Sequence, residues 1–87
     1  MSNVAQQVGE VEQVLQSLSE IKEDPGVPKN VRSVIDKITS ELRNGAELSM
    51  KIHKALNDLD EISNDINLQS FTRTQIWNIA TMLEKLQ

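Results

Sequence analysis

"LDEISNDINLQSFTRTQIWNIATML", from Leu59 to Leu83, lies over "LSEIKEDPGVPKNVRSVIDKITSEL", from Leu18 to Leu42, when the chain is slid against itself by 41 positions. Extended to Val11–Leu42 against Ile52–Leu83, the match has no gap and holds nine identities in 32 pairs. Six are aliphatic: Leu15 with Leu56, Leu18 with Leu59, Ile21 with Ile62, Ile35 with Ile76, Ile38 with Ile79 and Leu42 with Leu83. Helical periodicity alone aligns some of those. It does not account for Glu20 with Glu61, Asp24 with Asp65 and Arg32 with Arg73.

Each half reads as a helical hairpin. Val4, Val8, Val11, Leu15, Leu18 and Ile21 recur every three or four residues, the spacing of one helical face rather than of a strand, and predict a first helix over about Asn3–Lys22. "EDPGVP" stops it, because residues before proline avoid the helical region and Gly26 permits positive φ. Pro28 suits the first turn of a second helix, where its missing N–H is not needed. That helix carries Val31, Val34, Ile35, Ile38 and Leu42 and ends at "RNGA", where Asn44 and Gly45 favour the left-handed closing conformation. A third helix over about Ala46–Asn64 aligns Leu48, Ile52, Ala55, Leu56, Leu59 and Ile62. "NDINLQS" breaks the chain again. A fourth helix, capped by Ser70 or Thr72, carries Ile76, Ile79, Ala80, Leu83 and Leu86.

Short links between amphipathic helices favour antiparallel neighbours. The expected fold is therefore all-α, an up-and-down four-helix bundle built from two similar hairpins. The 87 residues form one domain, 1–87, since a chain this short cannot divide its apolar residues between two cores. A period near 40 also fits stacked helix-pair repeats, but two repeats are too few for a solenoid.

In a hairpin the end of the first helix meets the start of the second. Glu20 and Asp24 are thus placed to reach Arg32, and Glu61 and Asp65 to reach Arg73, through charge-assisted hydrogen bonds. Asp24 and Asp65 have the alternative of capping the helix that follows. The acidic corner is expected to fasten a turn.

Composition narrows the chemistry. A net charge of −4 disfavours a long-range grip on phosphate backbones, and the absence of cysteine removes disulfides, thiolate chemistry and cysteine-ligated zinc. No basic region precedes an apolar run at the N-terminus, and no stretch approaches the ~20 apolar residues of a membrane span; the expected location is cytoplasmic. Asp58, Asp60, Glu61 and Asp65 lack the sharp glycine turn of a calcium loop, so no metal or other cofactor is expected. His53, between Lys51 and Lys54, has no triad partner in reach of argument, and Gly9, Gly26 and Gly45 are too scattered to cradle a nucleotide.

Trp77 stands out because its repeat partner, Asp36, belongs on an outward face. Either Trp77 seals a seam between helices or it anchors a partner, tryptophan being enriched at interface hot spots. Arg73 lies one turn earlier, placed to stack on the indole, and Phe71, Met82 and Met50 can widen the patch.

"VPKNVRSVID", then "LDEISND", then "TRTQIWNIATMLEKL" together resemble an archaeal family of small proteins, uncharacterised protein family one-forty-seven, over the chain from about Leu15 onward. The resemblance implies a cytoplasmic archaeal four-helix bundle with no assigned activity or cofactor. "INLQSF" at Ile66–Phe71 departs from the proline-containing turn expected in similar proteins.

Three functional readings follow. The first is a non-enzymatic protein acting through protein contacts at Trp77, with a homodimer as its simplest form. The second is RNA or ribonucleoprotein association through Lys29, Arg32, Lys37, Lys51 and Lys54, which lack stacking aromatics beside them. The third, an enzyme built on carboxylates such as Glu61 and Asp65, requires a cleft.

Overall fold

Val4–Glu23 form α1, Lys29–Arg43 α2, Leu48–Ser63 α3 and Ser70–Glu84 α4 in a computed structural model that describes residues 4–86, with side chains from residue 8 onward. Asn3, the expected first residue of α1, and the side chain of Val4 lie outside the described residues. α1 packs on α2 and α4, and α3 packs on the same two; among the described residues the backbones of neither diagonal pair come as close. That is an up-and-down bundle closed into a ring, about two helices wide each way at 20 × 19 Å.

The expected stripes meet at its centre. Leu18, Val31, Ile35, Ile38, Ile52, Leu59, Ile76 and Leu83 are wholly buried. Val14, absent from the expected stripe, is buried beside Leu15. A globular helix face is wider than a single i, i+3, i+4 track, and α1 touches two neighbours. Val8 is instead exposed. At 20 residues α1 is longer than its partners of 15 or 16.

Two further core residues come from the connections. Val27 and Leu68, 41 positions apart, are both buried and plug the same end of the bundle. Each follows an identical turn. Asp24 Oδ1 accepts from the Gly26 N–H at 2.9 Å and Asp65 Oδ1 from the Asn67 N–H at 2.8 Å. The Val27 N–H then donates to Asp24 O at 3.1 Å, and the Leu68 N–H to Asp65 O at 3.2 Å. The two turns sit side by side: Asn30 Nδ2 donates to Asp65 Oδ2 at 2.6 Å. At Gly26 an added Cβ would lie 3.4 Å from Gln69 Nε2.

Several local expectations are corrected. No described residue, glycine included, has positive φ; Asn44 closes α2 in an extended conformation, at φ −77° and ψ 173°. Pro28, Glu47 and Gln69 are the N-cap residues of α2, α3 and α4, and none makes a side-chain capping bond. Ala46 consequently belongs to the connection rather than to α3. Ser70 is the first residue of α4, and Thr72 is buried within its first turn. Asp24 and Asp65 do not cap the following helices, because their carboxylates are spent on the turns.

Candidate functional site

Each of the three connections is fastened by a basic side chain reaching back from the following helix to carbonyls at the end of the preceding one. Arg32 Nη2 donates to Asp24 O at 2.9 Å. Lys51 Nζ donates to Leu42 O at 3.2 Å and Asn44 O at 2.9 Å. Arg73 makes three such bonds, Nε to Ser63 O at 2.8 Å and Nη2 to Asp65 O at 3.0 Å and Leu68 O at 3.4 Å. Helix C-termini present unpaired carbonyls at the negative end of the dipole, so a cation there is favoured twice.

This corrects the expected clasp. Arg32 and Arg73 do meet Asp24 and Asp65, but through main-chain oxygens rather than carboxylates, while Glu20 and Glu61 are exposed at the bundle surface. The fixed carbonyls of a helix end bind a guanidinium without first ordering a flexible carboxylate. Asp65 is held below the ordinary carboxylate range, first by the Asn30 amide, then by the Asn67 N–H, with Arg73 adding a smaller attraction. The Arg73 guanidinium, also considered as a stacking partner for Trp77, bonds the α3–α4 connection through Nε and Nη2.

A second cluster lies in the α2–α3 seam. Glu41 and Asp58 are buried, flanked by Lys54, whose Nζ is 2.9 Å from Glu41 Oε2, and by Lys37, whose Nζ is 3.6 Å from Asp58 Oδ1. In sequence the spacing is Lys37 to Glu41 and Lys54 to Asp58, which suggests pairs within each helix. Lysine N-terminal to the acid is the weaker orientation for such pairs, and here the partners are exchanged between helices. Hydrogen bonding and attraction from Glu41 hold Lys54 above its ordinary value.

Asp58 is pushed up, first by burial and then by Glu41, which accepts a bond from its protonated form; Lys37 opposes the shift. A carboxyl that holds its proton more tightly when folded contributes stability that is present below the unfolded value of 3.8 and lost as pH rises through the folded one. Asp65 acts oppositely, its contribution present above 3.8 and lost as pH falls through its lowered value. Asp58→Asn is therefore expected to flatten the fall in stability above about pH 4 and to add about 1 kcal/mol at neutral pH by donating to Glu41. Urea unfolding from about pH 3 to 7 checks this; an unchanged pH profile would remove Asp58 from the account.

The sequence named Asp58 only among possible metal ligands and did not single out Glu41. Their one signal was position, each immediately before a core leucine. Among the described residues no group of three or more His, Cys, Asp or Glu stands close enough to hold a metal ion. His53 lines an open depression of ≈ 470 Å³ with Met50, Lys54 and Asn57, none of which couples to an imidazole as an acid or nucleophile.

The third feature is the outer face of α4. Phe71 is 72% exposed and Trp77 56%, and Ser70, Thr74, Asn78 and Thr81 are exposed, uncharged neighbours on the same helix, Asn78 bordering the cleft that also holds Glu20. Trp77 thus does not seal the bundle. Met82 is half-buried on the other flank, in the α1–α4 cleft with Ser17, Glu20 and Gln75. Met50 is exposed on α3. The corresponding face of α2 carries Lys29, Asn30, Ser33, Asp36 and Lys37 at the same offsets, with Asp36 paired to Lys22 at 2.5 Å. The two halves share a core and differ outside it.

A family described as an uncharacterised protein family, UPF0147, matches residues 1–86. A UPF0147 protein of Archaeoglobus fulgidus is 40% identical over 76 residues, 87% of each chain. One of Methanosarcina mazei is 39% identical over 87% of this chain and 83% of its own. Among solved structures, a protein from uncharacterized family UPF0147 of Thermoplasma acidophilum superposes with a TM-score of 0.88 at 32% identity, covering 93% of this chain and 96% of that one. A second crystal structure, of an unknown function protein, gives 0.85 at 38% identity over 90% of both chains.

Proposed function

The chain belongs to the uncharacterised protein family UPF0147, and from that premise we propose that it is a non-enzymatic contact module whose outer α4 face binds a protein. The observation that carries this reading is the contrast within the molecule. Where α2 presents Lys29, Asp36 and Lys37, α4 presents Ser70, Trp77 and Asn78, with Phe71 beside them. An aromatic pair left in water costs apolar hydration that the aliphatic core avoids, and large exposed aromatics among uncharged neighbours are the composition of an interface centre.

The other readings have less support. Of the five bases considered for RNA, Arg32 and Lys51 are bonded to carbonyls and Lys37 and Lys54 are paired with acids, which leaves Lys29. The buried carboxyls Glu41 and Asp58 are matched by two lysines in a packed seam. Glu61, named for the enzyme reading, is exposed, and Asp65 is bonded to Asn30.

Pull-downs from native cells with wild type and Trp77→Ala test the proposal. Because Trp77 is over half exposed, its removal is expected to leave the fold intact while partner recovery drops about tenfold, the effect of losing a hot-spot side chain. Equal recovery would take Trp77 out of the function.

A further inference from the structure

Asn44–Gly45 is the one Asn-Gly pair in the chain, and from its surroundings we infer that it is a self-modification site: the Gly45 nitrogen attacks the Asn44 side-chain amide, turning asparagine into aspartate and isoaspartate. The side-chain carbon Cγ stands at a spacing that closes a five-membered ring on the next main-chain nitrogen, so the attack is intramolecular. It is ordinarily slow, because a neutral amide nitrogen is a weak nucleophile. Here both reacting groups are assisted. Asn44 Oδ1 accepts from the Ala46 N–H at 2.8 Å, which draws electrons from Cγ and meets the charge that grows on Oδ1 during attack, as an oxyanion-hole donor does. Asn44 O, the carbonyl of the peptide that contains the Gly45 nitrogen, accepts from Lys51 Nζ at 2.9 Å. A cation on that oxygen favours the amide anion, which is the attacking species.

The connection is also open to the movement that attack requires. Asn44, Gly45 and Ala46 are exposed, and a Cβ on Gly45 would meet nothing within 4 Å beyond its chain neighbours. The peptide, extended at Asn44 with ψ 173°, is therefore free to turn onto the side chain, and Lys51 follows on its flexible stem. Among the described residues no hydrogen bond holds the Gly45 N–H. Other asparagines are placed differently. After Asn64 and Asn67, the N–H groups of Asp65 and Leu68 already donate to carbonyls at 3.1 and 3.2 Å. The Asn30 amide is held on Asp65, and Asn57 and Asn78 lie inside α3 and α4.

The step balances with water alone. The Gly45 nitrogen loses its proton to hydroxide and bonds Asn44 Cγ; the Cγ–Nδ2 bond breaks, and Nδ2 takes a proton from water and leaves as ammonia. A second water opens the cyclic imide. Attack at Cγ gives aspartate. Attack at the main-chain carbon gives isoaspartate, in which the backbone runs through Cγ and the freed carboxylate is the former Asn44 carbonyl, beside Lys51. Either product adds one negative charge to a chain of net charge −4, and isoaspartate also lengthens the α2–α3 joint by a methylene.

Incubation of the folded protein at neutral pH, followed by peptide mass spectrometry and isoaspartate assay with a methyltransferase, tests this. Asn44 is expected to react at least about tenfold faster than any other asparagine. Lys51→Met is expected to slow it about tenfold, while Lys51→Arg, which keeps a cation on the carbonyl, retains most of the rate; circular dichroism checks that both fold. A lysine that only fastened the connection would give the opposite sign, since loosening the loop speeds attack. In urea, where Lys51 no longer meets Asn44, wild type and Lys51→Met are expected to react alike. Gly45→Ala has room for its methyl and is expected to keep the fold and lose the reaction, the methyl crowding the nitrogen. Reaction at Asn44 no faster than at Asn64 or Asn78, or a folded Lys51→Met at least as fast as wild type, would overturn the inference.

Discussion

Arg73→Met is expected to destabilise the bundle by about 3 kcal/mol, and Arg32→Met by only about half of that, although the two arginines occupy the same place in the repeat. Three carbonyls depend on Arg73, at Ser63, Asp65 and Leu68, and one on Arg32, at Asp24. Arg32 Nε is buried without a partner, where Arg73 Nε bonds the end of α3. A part-buried carbonyl stripped of its donor costs about 1–3 kcal/mol where water cannot replace the lost bond. Arg73→Lys should recover little, since an ammonium cannot span three acceptors set for a planar fork. Urea unfolding of the three variants decides the matter. Equal costs at positions 32 and 73 would show that the bonds to Ser63 and Leu68 contribute nothing.

The second large effect lies in the core. Ile76→Ala is expected to cost about 3–4 kcal/mol, combining lost transfer energy with a cavity that packed neighbours cannot fully close. Ile35→Ala should match it within about 1 kcal/mol, because both isoleucines are fully buried at equivalent positions. A domain of this size has about 4–13 kcal/mol in total, so the pair together should leave the chain largely unfolded at ordinary temperature. Phe71→Ala is the control, expected within about 0.5 kcal/mol in the monomer. Thermal unfolding monitored by circular dichroism at low concentration reads all four, and an Ile76→Ala cost as small as that of Phe71→Ala would refute the packing argument.

The helices were legible because aliphatic spacing near 3.6 residues has few other readings in a chain whose only aromatics are one Phe and one Trp. The repeat was legible because Arg32 and Arg73 recur with Asp24 and Asp65 at one offset. What those arginines bond to was not. A main-chain carbonyl leaves no mark in a sequence, whereas a nearby aspartate does, and the visible partner was the wrong atom of the right residue. Helix ends were misjudged for a related reason. Glycine and asparagine at "RNGA" advertise a left-handed cap, yet Lys51, seven residues past Asn44, already satisfies the last carbonyls. At the α4 face the sequence singled out Trp77 and Phe71, but only the buried track showed that both lie on the outer side and that Thr74 stands between them. Glu41 and Asp58 carry no mark of burial beyond the core leucine that follows each. Their burial depends on how α2 and α3 rotate against each other, which neither helix specifies alone.

Long-range tethers in place of special backbone geometry have an evolutionary corollary. With no left-handed residue at any described corner, Gly45 is free to change, having open space where a Cβ would stand, whereas Asn44 is tied by the bond its Oδ1 accepts from the Ala46 N–H. The turn at Gly26 is less free, being crowded by Asp24 and Gln69. Purifying selection on such joints should concentrate on one distant cation per joint and leave much of the intervening loop to wander.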